Sequence, residues 1–175
     1  MAKSGTFSRI HRVNAQLTDQ SGTKYFPALA PDGKSFVYAA EHKGNFDVFS
    51  QRVGGKNATS LTADSVANET QPAFSPDGER LAFRSEREPK GIYVMGATGE
   101  NLRRGSDFGF HPLWSPDGTK LTGTFSAGSQ AVGIYSFETN SFQQFAEVPA
   151  SIPLMIPSWL PKSRNLGYAN ENNFF

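Results

Sequence analysis

An all-β chain made of repeated four-stranded units is what this sequence predicts, and three observations carry the prediction. The first is a repeat. Pro72-Ala73-Phe74-Ser75-Pro76-Asp77-Gly78 returns as Pro112-Leu113-Trp114-Ser115-Pro116-Asp117-Gly118, stands upstream as Pro27-Ala28-Leu29-Ala30-Pro31-Asp32-Gly33, and persists downstream in the worn form Pro157-Ser158-Trp159-Leu160-Pro161-Lys162-Ser163. Its leading prolines are 45, 40 and 45 residues apart, a period that suits a blade of short strands and exceeds the repeat of the shorter helical solenoids. The second observation is the spread of 17 glycines and 11 prolines, which leaves no stretch free of both longer than 16 residues (Thr6 to Ser21 and Lys56 to Gln71) and so little room for long helices. The third is the run after each turn. Phe36 and Tyr38, Leu81 and Phe83, Leu121 with Gly123, and Leu166 and Tyr168 alternate with the smaller Val37, Ala82, Thr122 and Gly167, the pattern of a strand buried on both faces. Together these specify a β-propeller of four-stranded antiparallel blades.

The turn chemistry explains why the motif recurs. In Ser75-Pro76-Asp77-Gly78 the proline presets φ for the first corner of a type I turn, aspartate suits the second, and glycine takes the left-handed position that starts the return strand. The large apolar residue two places after the leading proline (Leu29, Phe74, Trp114, Trp159) then lies on the incoming, innermost strand.

Taken in order, Phe7, Ile10, Val13 and Leu17 could form a helical stripe. Asn14-Ala15-Gln16-Leu17-Thr18, however, matches Asn57-Ala58-Thr59-Ser60-Leu61-Thr62, and each segment lies 9 or 10 residues before a leading proline. Residues 9–18 are therefore expected to form the outer strand of a blade. The first whole blade is expected over residues 25–62, with strands near 25–30, 34–40, 46–53 and 57–62 and a hairpin at Gly54-Gly55. The second is expected over 70–106, with its third strand at Gly91 to Met95 and a turn at residues 97–100. The third is expected over 111–147, with its third strand at Gly133 to Phe137. A partial blade at 155–175 has two strands, near Ile156 to Trp159 and Asn165 to Ala169. One outer strand, three full blades and two inner strands do not close a ring. The expectation is part of a larger propeller, whose open blade edges would invite self-association.

Composition bounds the functional classes. With 37% hydrophobic and 13% aromatic residues in 175, the chain can fill one core. Seventeen lysines and arginines against 16 acidic residues leave a net charge of +1, without the basic excess that binding a phosphate backbone requires, so nucleic acid is not an expected partner. The absence of cysteine excludes disulfides and thiolate metal sites but leaves the compartment open. No apolar run approaches a membrane span, and none follows residues 1–6 as a secretory signal would require.

A search for catalysis finds little. No Gly-x-Ser-x-Gly elbow occurs, and its nearest approach, Ala127-Gly128-Ser129-Gln130-Ala131, lacks the flanking glycines and reads as a loop tip. His11, His42 and His111 fall in different blades without metal-ligand spacing. No catalytic residue, metal or other cofactor is indicated.

The charged run Glu86-Arg87-Glu88-Pro89-Lys90 reads first as a solvated hairpin loop. It has equivalents at residues 41–45 and 126–130. Because alternate turns of an up-and-down blade point the same way, all three loops share a face with the segments leading into the innermost strands, residues 23–25, 68–71 and 108–111. Tyr25, Glu69, Arg87 and His111 on this loop face and channel mouth are the candidate binding residues.

Pro-x-aromatic-Ser-Pro-Asp-Gly, then Arg80-Leu81-Ala82-Phe83, then Ile92-Tyr93-Val94-Met95, then an Arg-rich strand, resembles the TolB-like propellers with WD40-like PD40 repeats. The likeness runs from Arg9 to Ala169 and implies that the larger propeller is a six-bladed ring. Phe46-Asp47-Val48-Phe49-Ser50-Gln51-Arg52-Val53-Gly54-Gly55 is most similar to propellers appended to bacterial receptor-type serine/threonine kinases and winged-helix regulators. Three departures stand out: Gly105-Ser106 for Leu-Thr, Gly96 for an aspartate, and Lys162-Ser163 for Asp-Gly. The resemblance implies a non-enzymatic protein-interaction or ligand-sensing module of a signalling receptor kinase, regulator or envelope scaffold, in a periplasmic or extracytoplasmic setting. Its alternative implication is the gating propeller of a prolyl oligopeptidase-like serine peptidase. Fold alone does not choose between them.

Overall fold

The computed structural model describes residues 16–18, 21–107, 109–126, 130–148, 157–160 and 165–167, and every regular element among them is a strand. Strands β1 (Lys24–Leu29), β2 (Ser35–His42), β3 (Asn45–Arg52) and β4 (Ala58–Ser60) form the first sheet. The second consists of β5 (Glu69–Phe74), β6 (Arg80–Ser85), β7 (Gly91–Gly96) and β8 (Arg103–Ser106). The third holds β9 (Phe110–Trp114), β10 (Lys120–Ser126), β11 (Gln130–Ser136) and β12 (Ser141–Val148), and β13 (Ser158–Trp159) pairs with β14 (Leu166–Gly167). In each sheet consecutive strands are antiparallel neighbours. This is the four-stranded blade the repeat predicts. Of the outer strand expected over 9–18, residues 9–15 lie outside the described residues, and 16–18 are not assigned to a strand.

The Pro-Asp-Gly turns adopt the expected geometry. Gly33, Gly78 and Gly118 have φ of 70°, 76° and 70°, the left-handed region open to glycine at little cost. Asp32, Asp77 and Asp117 each accept the backbone N–H two residues on, at 2.9, 3.0 and 2.9 Å. Ser75 and Ser115, both fully buried, close the second and third turns by accepting the Arg80 and Lys120 N–H groups at 2.9 Å. Ala30 takes the serine's place in the first blade, where the backbone bond from its N–H to the Ser35 carbonyl (2.8 Å) suffices.

Blades stack through the middle strands, whose two faces serve two neighbours. Leu81, Phe83, Tyr93 and Met95 of the second blade pack with Val37 and Val48 of the first. The alternate residues Ala82, Ile92 and Val94 pack with Trp114, Leu121 and Tyr135 of the third. Leu81, Ala82 and Phe83 are all fully buried, so the centre of this strand is stabilised on both sides, at about 1.5–3 kcal/mol for each large side chain removed from water. A recurring hydrogen bond fixes the blade register: Trp114 Nε1–H donates to the Ala73 carbonyl of the preceding blade (3.1 Å), and Trp159 Nε1–H donates to the Leu113 carbonyl (3.2 Å). Trp114 also stacks on Phe137, centroids 5.2 Å apart.

Trp114→Ala therefore removes apolar filling and a cross-blade hydrogen bond together, and we expect it to destabilise the protein by roughly 3–5 kcal/mol in urea unfolding. Trp114→Phe, which keeps a ring but loses the donor, should cost clearly less. Equal losses for the two variants would show that the hydrogen bond, and not the packing, accounts for the contribution of Trp114 to stability.

Candidate functional site

The inner strands of the three four-stranded sheets are interrupted at the same place. The pairings of β1 with β2, β5 with β6 and β9 with β10 all break register just before or at the leading proline. The residue immediately before that proline, Phe26, Gln71 or His111, has φ of 54°, 56° or 52°. Left-handed backbone is uncommon for residues other than glycine and costs on the order of 1–3 kcal/mol per residue. Its consequence is convergence. Phe26, Gln71 and His111, one from each blade, line an open recess of about 190 Å³ together with the three prolines and Leu113. The Gln71 Oε1 accepts the His111 backbone N–H at 2.6 Å, and the Phe26 and His111 rings meet edge to face at 6.1 Å. Burial holds the His111 imidazole below its ordinary value of 6.5, so the ring is neutral at pH 7.

The four residues expected at the face fall into two groups. Tyr25 is 46% exposed and joins the recess through Phe26, with centroids 6.1 Å apart, while its other side meets Phe46 at 5.6 Å. Tyr25, Phe26 and His111 thus form a run of rings at the recess. Glu69 and Arg87 pair with each other instead: Arg87 Nε and Nη2 donate to Glu69 Oε1 at 3.0 and 2.8 Å, and Ser65 Oγ donates to the same oxygen at 2.7 Å. Glu69 is fully buried, so it does not present itself to a partner as a face residue would. It anchors the β6–β7 loop beneath the surface. Burial raises its carboxyl pKa, against the lowering effect of the hydrogen bonds from Ser65 and Ser85 and the charge and hydrogen bonds of Arg87. Its Oε2 is buried without a hydrogen-bond partner, which agrees with that net direction.

The Glu86–Lys90 run is likewise more than a solvated loop. Arg84 Nη2 and Nε donate to Glu86 Oε1 at 2.7 and 2.9 Å, Tyr93 Oη donates to the Pro89 carbonyl at 2.8 Å, and Arg104 Nη2 donates to the Lys90 carbonyl at 2.8 Å. Glu86 loses some hydration by burial, but Arg84 and Lys90 outweigh this and hold it below the ordinary carboxylate range. The loop also bonds to the lead-in of β5, since Glu86 N–H donates to the Asn68 carbonyl at 3.0 Å. In the first blade, Asn45 Nδ2 donates to the Ala67 carbonyl at 3.0 Å and Phe46 N–H to Asn68 Oδ1 at 2.9 Å. The described β2–β3 and β6–β7 loops therefore do share one face with the β5 lead-in.

His42, expected in a loop, ends β2 and places Nδ1 2.8 Å from the buried Asp47 Oδ2, which also accepts from Ser60 Oγ at 3.0 Å. Residues 127–129, including Ser129, and His11 lie outside the described residues. Phe26 and Gln71 were not among the candidates. Their shared position before the leading proline was visible in the repeat, but a residue before proline ordinarily prefers extended backbone, and nothing local announces the left-handed turn that aims it inward.

A sequence profile of the TolB beta propeller domain, PD40, matches residues 8–173, and the chain belongs to that family. In sequence it is 31% identical over 115 residues to the uncharacterized peptidase YuxL of Bacillus subtilis, matching 58% of this chain and 17% of that protein. It is 38% identical over 64 residues to dipeptidyl-peptidase 5 of Porphyromonas gingivalis, a match of 33% of this chain and 9% of that one. In fold it superposes on TolB from Acinetobacter baumannii with a TM-score of 0.71 at 24% identity, covering 86% of this chain and 38% of that one. The chain thus spans well under half of each of these proteins. Among the described residues no helix is long and apolar enough to cross a membrane, which leaves strands unaddressed.

The raised Glu69 pKa has a signed consequence. A carboxyl whose folded pKa lies above its unfolded value contributes stability that is fully present below the ordinary value of 4.5 and is lost as pH rises through the folded value. Glu69→Gln lacks this dependence. We expect wild type to lose stability relative to Glu69→Gln as pH rises from about 4.5 through the folded value in paired urea titrations. A gap that widens in favour of wild type over that range would mean that the Arg87 pair outweighs burial.

Proposed function

We propose that this propeller is a non-enzymatic binding module that engages a polypeptide partner through the loop face and the channel mouth. The observation that carries this reading is the set of three inward-directed residues before proline. Strained non-glycine backbone persists where the surrounding structure holds it, and it concentrates at binding and catalytic sites. Here it brings an aromatic ring, an amide and a neutral imidazole from three blades to one open recess, a combination suited to recognition of a mixed polar and apolar segment. Tyr25 extends the surface, while Glu69 and Arg87 hold the adjoining loop in shape from below. An extracytoplasmic setting accords with the likeness to TolB proteins.

A second reading, the gating propeller of a prolyl oligopeptidase-like serine peptidase, is favoured by one specific observation: both sequence relatives named above are peptidases. The chain itself supplies no nucleophile elbow, so chemistry in this reading belongs to a hydrolase domain elsewhere in the protein. Fluorophosphonate labelling of the protein in its natural length separates the two. Covalent labelling at a serine of an α/β-hydrolase domain supports gating. A kinase or helix-turn-helix module beside the propeller, with no labelling, supports sensing.

For the binding site, fluorescence anisotropy against a pool of unstructured peptides should yield binders that Gln71→Ala and His111→Ala weaken about tenfold or more, as truncation of a central contact does, with unfolding midpoints little changed. Because burial lowers the His111 pKa, any change in binding on its protonation should come at lower pH than for a free imidazole. Peptides that bind both variants as tightly as wild type would place the site elsewhere.

A further inference from the structure

The gap between the second and third blades is plugged, on the side of the Pro-Asp-Gly turns, by an arginine. Arg80 reaches across and donates from Nη2 to the Gly118 carbonyl at 2.9 Å. Its guanidinium lies 4.5 Å from the centre of the Trp114 ring and 5.3 Å from that of Phe137, and Asp77 Oδ2 stands 3.9 Å away. A guanidinium between aromatic faces, a carbonyl and a carboxylate is well satisfied in all its directions.

The equivalent gap between the first and second blades has the same frame without the plug. Counting from the leading prolines, Ser35 stands where Arg80 does, Phe74 where Trp114 does, Gly78 where Gly118 does, Asp32 where Asp77 does, and Ala97 where Phe137 does. Strand register also sets Ser50, opposite Val37, in the place of Val94, opposite Ala82. The turns abut in the same way in both gaps: a Cβ built on Gly78 would lie 3.5 Å from Pro31, and one on Gly118 would lie 3.7 Å from Pro76. With Ser35, Ser50 and Ala97 all small, a recess of about 270 Å³ opens among these residues, floored by Phe74 and rimmed by Asp32, Asp77 and Glu79. Lys34 pairs with Asp32 only at 3.7 Å, and both of those side chains are more than half exposed.

We propose that this recess is a binding site for a guanidinium group, presented by an arginine side chain of a protein partner. The incoming group would lie over Phe74, donate to the Gly78 carbonyl, and face the Asp32 and Asp77 carboxylates, repeating from outside what Arg80 does from within. Arginine suits the site better than lysine, because the flat, weakly hydrated guanidinium stacks on a ring while its edge donors reach the carbonyl and carboxylates. Ser75, donating to Asp77, and the Glu79 N–H hold that carboxyl below its ordinary value, so the rim stays charged in mildly acid solution. The site lies at the turn side of the blades, away from the loop face, and stands independently of the function proposed for the channel mouth.

The test uses N-acetyl-arginine amide with its lysine and citrulline counterparts, titrated into the intact protein at low salt and followed by amide chemical shifts. The expected result is saturable shifts confined to residues around Ser35, Phe74 and Asp77, at least fivefold weaker affinity for the lysine compound, and none for the neutral citrulline compound. Ser35→Arg, which supplies the missing plug from within, should abolish the shifts. Asp32→Asn with Asp77→Asn keeps the oxygens that accept the turn N–H groups and should weaken binding at least tenfold, so the proposal stays testable if the arginine variant fails to fold. Absence of saturable shifts, equal response to citrulline, or binding that the charge-neutral variant leaves unchanged would overturn it.

Discussion

Two-sided burial of the middle strands is the constraint on which the rest of this structure depends. Leu81 and Phe83 belong to one interface and Ala82 to the next, so no blade satisfies its own apolar surface. A four-stranded sheet of this composition is stable only between neighbours. The tryptophan N–H donated across the gap then sets how far one blade slides on the next, since Ala73 and Leu113 each offer a carbonyl at one height only. Turn, strand and stacking are coupled in consequence. Gly78 and Gly118, which close the second and third turns, also lie against the proline of the turn before them.

That coupling is what lets the inner strands carry strain. A left-handed residue at Phe26, Gln71 or His111 would relax in an isolated hairpin, where extended backbone before proline costs less. Here Pro72 and Pro112 are buried, the register break absorbs the extra residue, and the three side chains line one recess. The outer face is stabilised differently. Its loops are tied by arginine to carboxylate and arginine to carbonyl bonds, and one of these, from Arg87 to Glu69, reaches a carboxylate with no solvent exposure. Exposed ion pairs contribute little, but a pair with one member fully buried leaves an uncompensated charge when broken, so the β6–β7 loop has reason to keep one shape.

The blades are close copies in backbone and diverge in what fills the gaps between them. Arg80 with Trp114 and Phe137 makes one gap solid, whereas Ser35 with Phe74 and Ala97 leaves its counterpart open. Divergence of this kind costs the fold little, because the buried middle strands and the turns carry the stacking. Repetition therefore supplies the frame, and departures from it supply the individual sites.

By itself, the sequence determined the fold class, the strands and turns of each blade, and the family, because these rest on local chemistry: proline, aspartate and glycine at fixed offsets, and apolar residues at every second position or at every one. It also determined that the β2–β3 and β6–β7 loops share a face with the β5 lead-in, since alternate turns of an up-and-down blade point the same way. The site was legible only in outline. Tyr25 and His111 were placed at the channel mouth, but the tertiary structure decided that Phe26 and Gln71 complete their cluster, because a left-handed turn before proline has no local signature. It also decided that Glu69 is buried and bonded to Arg87 and Ser65. A glutamate next to a polar threonine reads as exposed until Arg87, 18 residues away, and Ser65 are brought around it, and burial is a property of the neighbours a residue meets in space, which no single stretch of chain contains.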